Sequence, residues 1–200
     1  MRGRLIVLEG IDGSGKGTQL ELLRAKLARA GREVVLTREP SESAVGKLIR
    51  QALADASQFD EATMALLFAA DRIEHIKAMR ADLDAGKIVL CDRYILSSLA
   101  YNSQSLPLEW ILAINRQADA RLHPDLTLLF DLAASDAMAR IDARGDAHER
   151  YESQRQLTLV RDMYRSLAEV RHDDNVTLID AAQDPAQIHD AVWQAVQTIL

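Results

Sequence analysis

The stretch that decides the fold is Gly10-Ile11-Asp12-Gly13-Ser14-Gly15-Lys16-Gly17-Thr18. It follows an apolar run at residues 5–8, typical of a buried parallel strand, and precedes leucines at helical spacing that stop at Gly31. Between a strand and a helix, glycines let successive backbone N–H groups turn toward phosphate oxygens, and the helix dipole favours an anion at the same point. Lys16 adds a cation for the β- and γ-phosphates. The stretch predicts a phosphate-binding loop; the competing interpretation is a glycine-rich turn without a ligand.

Four further apolar runs alternate with helical periodicity, at residues 34–36, 88–91, 126–130 and 176–179. Strands that alternate with helices predict an α/β fold, in which a five-stranded parallel sheet carries helices on both faces, giving three layers. We predict helix caps at Asp60 and Ser135, and helices that begin after Pro107 and near Pro185. We expect a single domain over residues 1–200 with a small lid at about 142–151, where Gly145 and nearby charges interrupt the pattern.

Composition excludes several classes of protein. Hydrophobic residues make up 48% and charged residues 27% of the 200, which argues against disorder. The single cysteine, Cys91, rules out a disulfide framework and suggests a small core residue in a reducing compartment. A net charge of −6 argues against nucleic-acid and membrane partners, and no stretch approaches the roughly 20 apolar residues of a membrane helix. We expect a cytoplasmic protein.

The residue that follows the loop lysine is Gly17, at a position where a hydroxyl commonly helps to hold Mg²⁺ with the nucleotide. Metal binding therefore runs through Thr18, through the acidic side chains of Asp12 or Asp92, or through water. These alternatives stay open in the sequence, and the phosphate site does not depend on them.

The remainder of the chain limits the classes of phosphate-loop protein to which it can belong. It has neither the guanine signature of a GTPase switch nor the signature of a transporter ATPase. Arg38 and Arg93 each follow a strand, at the carboxyl edge of the sheet where ligands bind. Two converging arginines would hold a phosphate monoester in line with the donor. The alternative is that each arginine pairs with its neighbouring carboxylate, Glu39 or Asp92.

A second group of residues fits a nucleotide base and sugar. Phe68 and Arg72 are four apart on a helix, so a base can stack on the ring while the guanidinium donates to its edge. The alternative for this pair is core packing with a solvated arginine. Ser97, Ser98 and Tyr101, which follow Asp92-Arg93-Tyr94 at helical spacing, can line the sugar and base.

Together these residues resemble the thymidylate kinases, nucleoside monophosphate kinases of the phosphate-loop class, over nearly the whole chain. The motifs that carry the resemblance are Leu8-Glu9-Gly10-Ile11-Asp12-Gly13, Thr37-Arg38-Glu39-Pro40, Leu67-Phe68-Ala69-Ala70-Asp71-Arg72, Asp92-Arg93-Tyr94, Ser98-Leu99-Ala100-Tyr101, Pro124-Asp125-Leu126 and Ile179-Asp180-Ala181. The resemblance implies transfer of the ATP γ-phosphate to dTMP, giving ADP and dTDP, with Mg²⁺ as cofactor. It also implies a homodimer.

The resemblance assigns roles to individual residues. Arg38 and Arg93 would bind the acceptor phosphate, with Tyr94 beside them. Phe68 would stack on thymine, Arg72 would donate to its O4, and Ser98 would contact the base. Tyr101 would pack where a ribose 2′-hydroxyl would sit, which favours deoxyribose. Catalysis is expected to rest on Lys16, Asp12, Arg93, Arg144 and Arg150.

The two last arginines belong to the expected lid. In one branch of the family an arginine follows the loop aspartate, but here that position is Gly13. The other branch places basic residues in a lid, and this chain offers Arg140, Arg144 and Arg150. We expect Arg144 or Arg150 to close over the donor phosphates. The alternative is a solvated charged loop.

A further departure bears on the substrate. The family commonly follows Arg-Glu-Pro with two glycines and a threonine, whereas this chain has Ser41-Glu42-Ser43. Either Glu42 reshapes the acceptor pocket or it points to solvent and changes nothing. This departure keeps a monophosphate kinase for another nucleotide as the second hypothesis. The third is a nucleotide-binding regulator that turns over little substrate.

Overall fold

In the computed structural model, residues 2–54, 58–144 and 153–200 are described. Within them, five strands form one parallel sheet in the order β2-β3-β1-β4-β5. The strands are β1 Arg4–Gly10, β2 Val34–Arg38, β3 Ile88–Asp92, β4 Leu126–Asp131 and β5 Val176–Asp180. Each contains one of the five apolar runs, so the predicted parallel sheet is confirmed.

The helices form two layers against this sheet. Their bounds are α1 Lys16–Arg29, α2 Ala44–Ala54, α3 Glu61–Asp84, α4 Ile95–Asn102, α5 Leu108–Asp119, α6 Ala134–Arg144, α7 Gln154–Val170 and α8 Pro185–Gln197, with a 3₁₀ turn at His172–Asp174. α1 and α8 pack on each other and on the sheet, while α3, α4, α5 and α7 form a second connected layer. This arrangement is the predicted α/β fold.

Most of the helix starts predicted from the sequence agree with the structure. Asp60 caps α3 by accepting from the backbone N–H of Thr63 at 2.7 Å, and α8 begins at Pro185. The cap at Ser135 is wrong, because α6 begins at Ala134 and so includes that serine. In the described part of the chain, no helix is both long and apolar enough to cross a membrane.

Burial of the central strands explains why their sequences are continuously apolar. β1, β3 and β4 have neighbours on both sides, and their apolar side chains are buried, the free thiol of Cys91 among them. The register pairs Leu8 of β1 with Asp92 of β3, and Asp92 in turn with Arg38 of β2. The polar residues that follow each strand therefore meet at one edge, beside the loop after β1.

Candidate active site

The loop after β1 folds tightly against its surroundings. Gly13 has φ of +78°, and a Cβ there would lie 2.5 Å from the carbonyl oxygen of Ala137 in α6. Lys16 is the first residue of α1 and is buried, and its Nζ donates to the carbonyl oxygens of Gly10 at 2.9 Å and Ile11 at 3.0 Å. The lysine thus bends back across the loop, and the N-terminus of α1 faces the same space. This geometry is that of an anion-binding cradle.

Lys16 lies in a mixed electrostatic environment. Burial lowers the pKa of its ammonium group, and the positive charge of Arg93 lowers it further, to about 8, against the opposing effect of Asp92 and Asp12. An anion bound in the cradle would stabilise the charged form of this lysine.

Arg93 connects the phosphate loop, which forms the anion cradle, to a neighbouring cavity, here called the second cavity. Its Nη2 donates to Oδ1 of Asp12 at 2.5 Å, and the same nitrogen donates to the Tyr101 hydroxyl at 3.3 Å. Burial would raise the pKa of Asp12, but Arg93, Lys16 and the hydroxyl of Tyr101 lower it to about 2. The carboxylate is therefore charged throughout the neutral range. The partner of Arg93 is Asp12 rather than the adjacent Asp92, so the predicted neighbour pairing is wrong.

Glu9, which sequence reasoning did not single out, holds the segment that carries Arg93. Its Oε1 accepts from the backbone N–H groups of Tyr94 at 2.8 Å and Ser97 at 3.1 Å, while its Oε2 accepts from the hydroxyls of Ser97 and Tyr164. The carboxylate thus caps the N-terminus of α4 from the end of β1. Burial raises the pKa of Glu9, although Ser97 and Arg93 counteract it. Its place in the motif Leu8-Glu9-Gly10 at the end of β1 was the available signal.

Arg38, which the register pairs with Asp92, has Glu42 as its ion-pair partner. Its Nη2 contacts Oε1 of Glu42 at 3.4 Å, and the two side chains are 62% and 73% exposed. The other carboxylate oxygen of Glu42 accepts from Arg50 at 3.0 Å. The neighbour pairing with Glu39 is therefore wrong for Arg38 as well. The convergence of Arg38 with Arg93 on one phosphate stays a prediction, and in this structure the Arg38 guanidinium contacts Glu42.

The second cavity opens beside Arg93. Its lining residues are Asp12, Glu39, Pro40, Leu53, Phe68, Arg72, Arg93, Ser97, Ser98, Tyr101 and Asn102. Phe68, Arg72, Ser98 and Tyr101, which the sequence placed at a base and sugar, are brought together here. Tyr94 does not line this cavity: its hydroxyl donates to the carbonyl oxygen of Leu122 at 3.0 Å, and its buried ring lies beside Arg72.

Arg72 is buried at the wall of this cavity and is held by several acceptors. Its Nε and Nη2 donate to one oxygen of Glu39 at 2.9 and 2.6 Å. Nη2 also donates to the hydroxyl of Ser98 at 2.9 Å, and Nη1 donates to the side-chain oxygen of Asn115. The alternative of a solvated arginine is therefore wrong. The ion pair with Glu39 keeps the guanidinium charged and orients it.

Asn102 is a second residue that the sequence analysis missed. It lines the cavity, and its buried Nδ2 has no hydrogen-bond partner among the described residues. A buried amide donor without a partner is costly, so a ligand acceptor at this point would be stabilising. The available signal was spacing, because Asn102 follows Ser98 by four residues on α4.

The three residues predicted to hold Mg²⁺, Asp12, Thr18 and Asp92, differ in whether their oxygens are already hydrogen-bonded. Both carboxylate oxygens of Asp12 accept hydrogen bonds, from Arg93 and Tyr101, and Thr18 lies exposed on α1. Oδ1 of Asp92 is buried and has no partner within the described residues. Mg²⁺ commonly uses one or two carboxylates together with water and phosphate oxygens. Asp92 therefore fits a role in holding Mg²⁺ best of the three.

Only part of the expected lid can be placed. Arg150 and the side chain of Arg144 lie outside the described residues, although Arg144 ends α6. Arg140, one turn earlier, donates from Nη2 to the carbonyl oxygen of Ala181 at 2.9 Å. Its Nη1 is 3.8 Å from the place that a Cβ of Gly15 would occupy. A positive charge therefore lies beside the phosphate loop from α6.

Ser41 and Ser43 have a structural role in this chain. The Asp71 carboxylate, buried on α3, accepts from the backbone N–H of Ser41 at 2.7 Å and from the hydroxyls of Ser41 and Ser43, each at 2.6 Å. Glu42 between them is exposed to solvent, and its carboxylate contacts Arg38 and Arg50. The two serines thus attach the segment to α3 and direct Glu42 outward.

The chain has a phosphate loop with a buried lysine, and Asp12 and Arg93 join this loop to a second cavity. This arrangement is that of the P-loop phosphotransferases. A family model described as thymidylate kinase matches residues 8–192. The "Probable thymidylate kinase" of Thermococcus kodakarensis is 40% identical over 98% of both chains, and that of Pyrococcus horikoshii is 41% identical over 96% of this chain and 95% of its own. The "Thymidylate kinase" of Exiguobacterium sibiricum is 40% identical over 100% of this chain and 97% of its own. The chain belongs to the thymidylate kinase family.

Proposed function

We propose that the chain transfers the γ-phosphate of ATP to dTMP, giving ADP and dTDP. The observation that carries this proposal is the contact between Asp12 and Arg93, which joins the anion cradle to a cavity lined by an aromatic ring and a buried arginine. One ligand phosphate at each side of that contact would bring donor and acceptor together.

The donor side consists of residues 10–18. Backbone N–H groups of the loop, the N-terminus of α1 and the Lys16 ammonium would bind the triphosphate of ATP. Arg140 would add a positive charge from α6. In our proposal, Arg144 or Arg150 closes over the donor phosphates from a lid at about 142–151 of a single domain.

The acceptor side is the cavity beside Arg93. Phe68 would stack on thymine, and Arg72, Ser98 and Asn102 would donate to its carbonyl oxygens. Tyr101 would pack against the deoxyribose. Arg93 would bind the phosphate, joined by Arg38 once its exposed contact with Glu42 opens.

The reaction needs charge neutralisation more than proton transfer. An oxygen of the dTMP phosphate, already an anion near neutral pH, would attack the γ-phosphorus, and the bond to the bridging oxygen would break with its electron pair leaving on ADP. Lys16, Arg93 and the lid arginines would stabilise the charge that spreads over the transferred group. Mg²⁺, held through Asp92 and phosphate oxygens, would neutralise part of the same charge.

Three further expectations belong to this proposal. The chain would work as a homodimer in the cytoplasm, and it would have no nucleic-acid or membrane partner. They follow from the family resemblance and from the net charge of −6.

The test is ADP release from ATP and Mg²⁺ with dTMP, dUMP, UMP, CMP, AMP or GMP as acceptor, with K16A as a blank for contaminating kinase. We expect turnover to be fastest with dTMP and to be lost in K16A. Preference for another monophosphate would move the base assignment, while ATP hydrolysis that needs no acceptor would favour a regulator.

A further inference from the structure

We propose that His75 is a positioning residue for base selection, which acts through Glu39 to hold Arg72 against the pyrimidine. This inference rests on the proposed function, since it concerns the cavity that would receive dTMP. His75 lies on α3 behind that cavity, and it is outside the loop and the acceptor-phosphate site.

The contacts form a continuous chain of buried side chains. Nε2 of His75 lies 2.6 Å from the hydroxyl of Thr37 at the end of β2, and its Nδ1 lies 3.2 Å from Oε1 of Glu39. A carboxylate in an ion pair only accepts, so the His75 Nδ1–H donates to Glu39. The threonine hydroxyl can donate or accept, and it holds the ring from the other side.

Glu39 divides its two oxygens between two partners. Oε1 accepts from His75, while Oε2 accepts both Nε and Nη2 of Arg72. The side chains are 3% exposed for Glu39, 4% for His75 and 1% for Arg72, so water is largely excluded. If the carboxylate rotated, it would lose one buried partner, which is costly at low dielectric. His75 thus prevents this rotation and thereby fixes the plane of the guanidinium.

The orientation of Arg72 matters for base selection because a guanidinium group can donate hydrogen bonds but cannot accept them. Arginine carries only donors, so it matches a carbonyl at C4 of a pyrimidine and opposes an amino group there. Of its nitrogens, Nε and Nη2 are occupied by Glu39, Ser98 and the Tyr94 carbonyl, and Nη1 gives one hydrogen to Asn115. The second hydrogen on Nη1 is then the donor left for a base, and its direction depends on how Glu39 is held.

Two substitutions separate this role from simple packing. H75N keeps an amide donor close to the position of Nδ1 and so retains the bond to Glu39. H75Q places its amide near Nε2, which retains the contact with Thr37 and loses the one with Glu39. Both variants remove the ring, so a packing defect affects them alike.

The experiment measures kcat and KM with dTMP, dUMP and dCMP for the wild type and both variants, and checks folding by thermal unfolding. For H75Q we expect KM to rise about tenfold with dTMP and dUMP, which share the C4 carbonyl, while kcat changes less than about twofold because the base is remote from the transferred group. The selectivity over dCMP falls accordingly. H75N is expected to stay close to the wild type.

Three results would overturn the inference. If H75Q keeps the wild-type selectivity, or if H75N and H75Q lose activity equally on all three acceptors, His75 only packs. If the wild type accepts none of the three, the proposed function fails first and this inference falls with it. Calorimetric binding of dTMP and dCMP to the same variants provides a readout that does not need turnover.

Discussion

Arg93 lies 81 residues after Asp12 in the chain, yet its Nη2 donates to Oδ1 of Asp12 at 2.5 Å. Because Asp12 belongs to the phosphate loop and Arg93 lines the cavity, this ion pair is the point where the loop and the cavity meet. It also holds a cation where a transferred phosphoryl group would pass.

The R93K substitution tests this position. Lysine keeps the charge but has no planar fork to bridge Asp12 and a phosphate, so we expect kcat to fall about 100-fold. Steady-state kinetics with saturating ATP and dTMP measures it. R24K, at an exposed pair on α1, is the control and should keep the wild-type rate; an R93K enzyme with wild-type kcat would contradict the assignment.

The pKa of Lys16, lowered to about 8, predicts a pH dependence of ATP binding. Below pH 8 the lysine is protonated in the free enzyme and attracts the triphosphate, while above pH 8 it must first take up a proton. We therefore expect kcat/KM for ATP to decline above about pH 8. At pH 8, calorimetric heats of binding should depend on the ionisation enthalpy of the buffer.

The variant K16R provides the control for that pH dependence. Arginine stays charged over this range, so the buffer-dependent part of the heat should vanish in K16R. Equal buffer dependence in the two proteins would assign the proton uptake to another group.

If Arg38 binds the acceptor phosphate as proposed, Glu42 would compete with that phosphate, because its carboxylate contacts the Arg38 guanidinium at 3.4 Å. The substitution E42Q should lower KM for dTMP by about threefold and leave kcat unchanged, since exposed pairs contribute at most about 1 kcal/mol. E74Q, which breaks an exposed pair with Lys77 on α3, should leave KM as it was. A KM for E42Q equal to that of the wild type would show that Glu42 has no influence on the acceptor.

Asp92 has a buried carboxylate oxygen for which the described residues offer no partner. If that oxygen helps to hold Mg²⁺, D92N should raise the Mg²⁺ concentration at half-maximal rate about tenfold. The matched control is D131N, also at the end of a strand, whose carboxylate is held by Arg161 at 2.6 Å. Identical Mg²⁺ titrations of D92N and D131N would remove Asp92 from the metal site.

Asp71 contributes to stability through Ser41 and Ser43. D71N keeps the shape but replaces one acceptor oxygen by an amide donor, so at least one short hydrogen bond is lost. We expect the free energy of unfolding, from urea denaturation, to fall by about 2 kcal/mol. The exposed variant D84N on α3 should change it by less than about 0.5 kcal/mol. A D71N protein as stable as the wild type would mean that the segment is held by other contacts.

The fold and the phosphate loop were predictable because they depend on local patterns. Alternation of apolar strands with amphipathic helices indicates a parallel sheet, and the glycines with Lys16 indicate where it binds phosphate. The strand that precedes this loop lies in the middle of the sheet. Residues that follow neighbouring strands, such as Asp92 and Arg93, were therefore expected near the loop, as observed.

The pairing of the charged residues was not predictable in the same way. The alternative interpretation paired Arg38 with Glu39 and Arg93 with Asp92, but the structure pairs Glu39 with Arg72 and Asp12 with Arg93. The reason is that a side chain pairs with whatever group the packed elements bring within about 3 Å, and consecutive residues at a strand end point in different directions.

The amino-acid sequence by itself thus determined the sheet, the cradle and the family, because these follow from spacing within single segments. Only the tertiary structure decided which side chains line the second cavity. Asn102 lines it, whereas the Tyr94 hydroxyl donates to the carbonyl oxygen of Leu122 instead. It also linked His75 to Arg72 through Glu39. Such contacts depend on how α3, α4 and β2 pack together, because side chains distant in sequence can form a hydrogen bond only when that packing brings their polar atoms within about 3 Å.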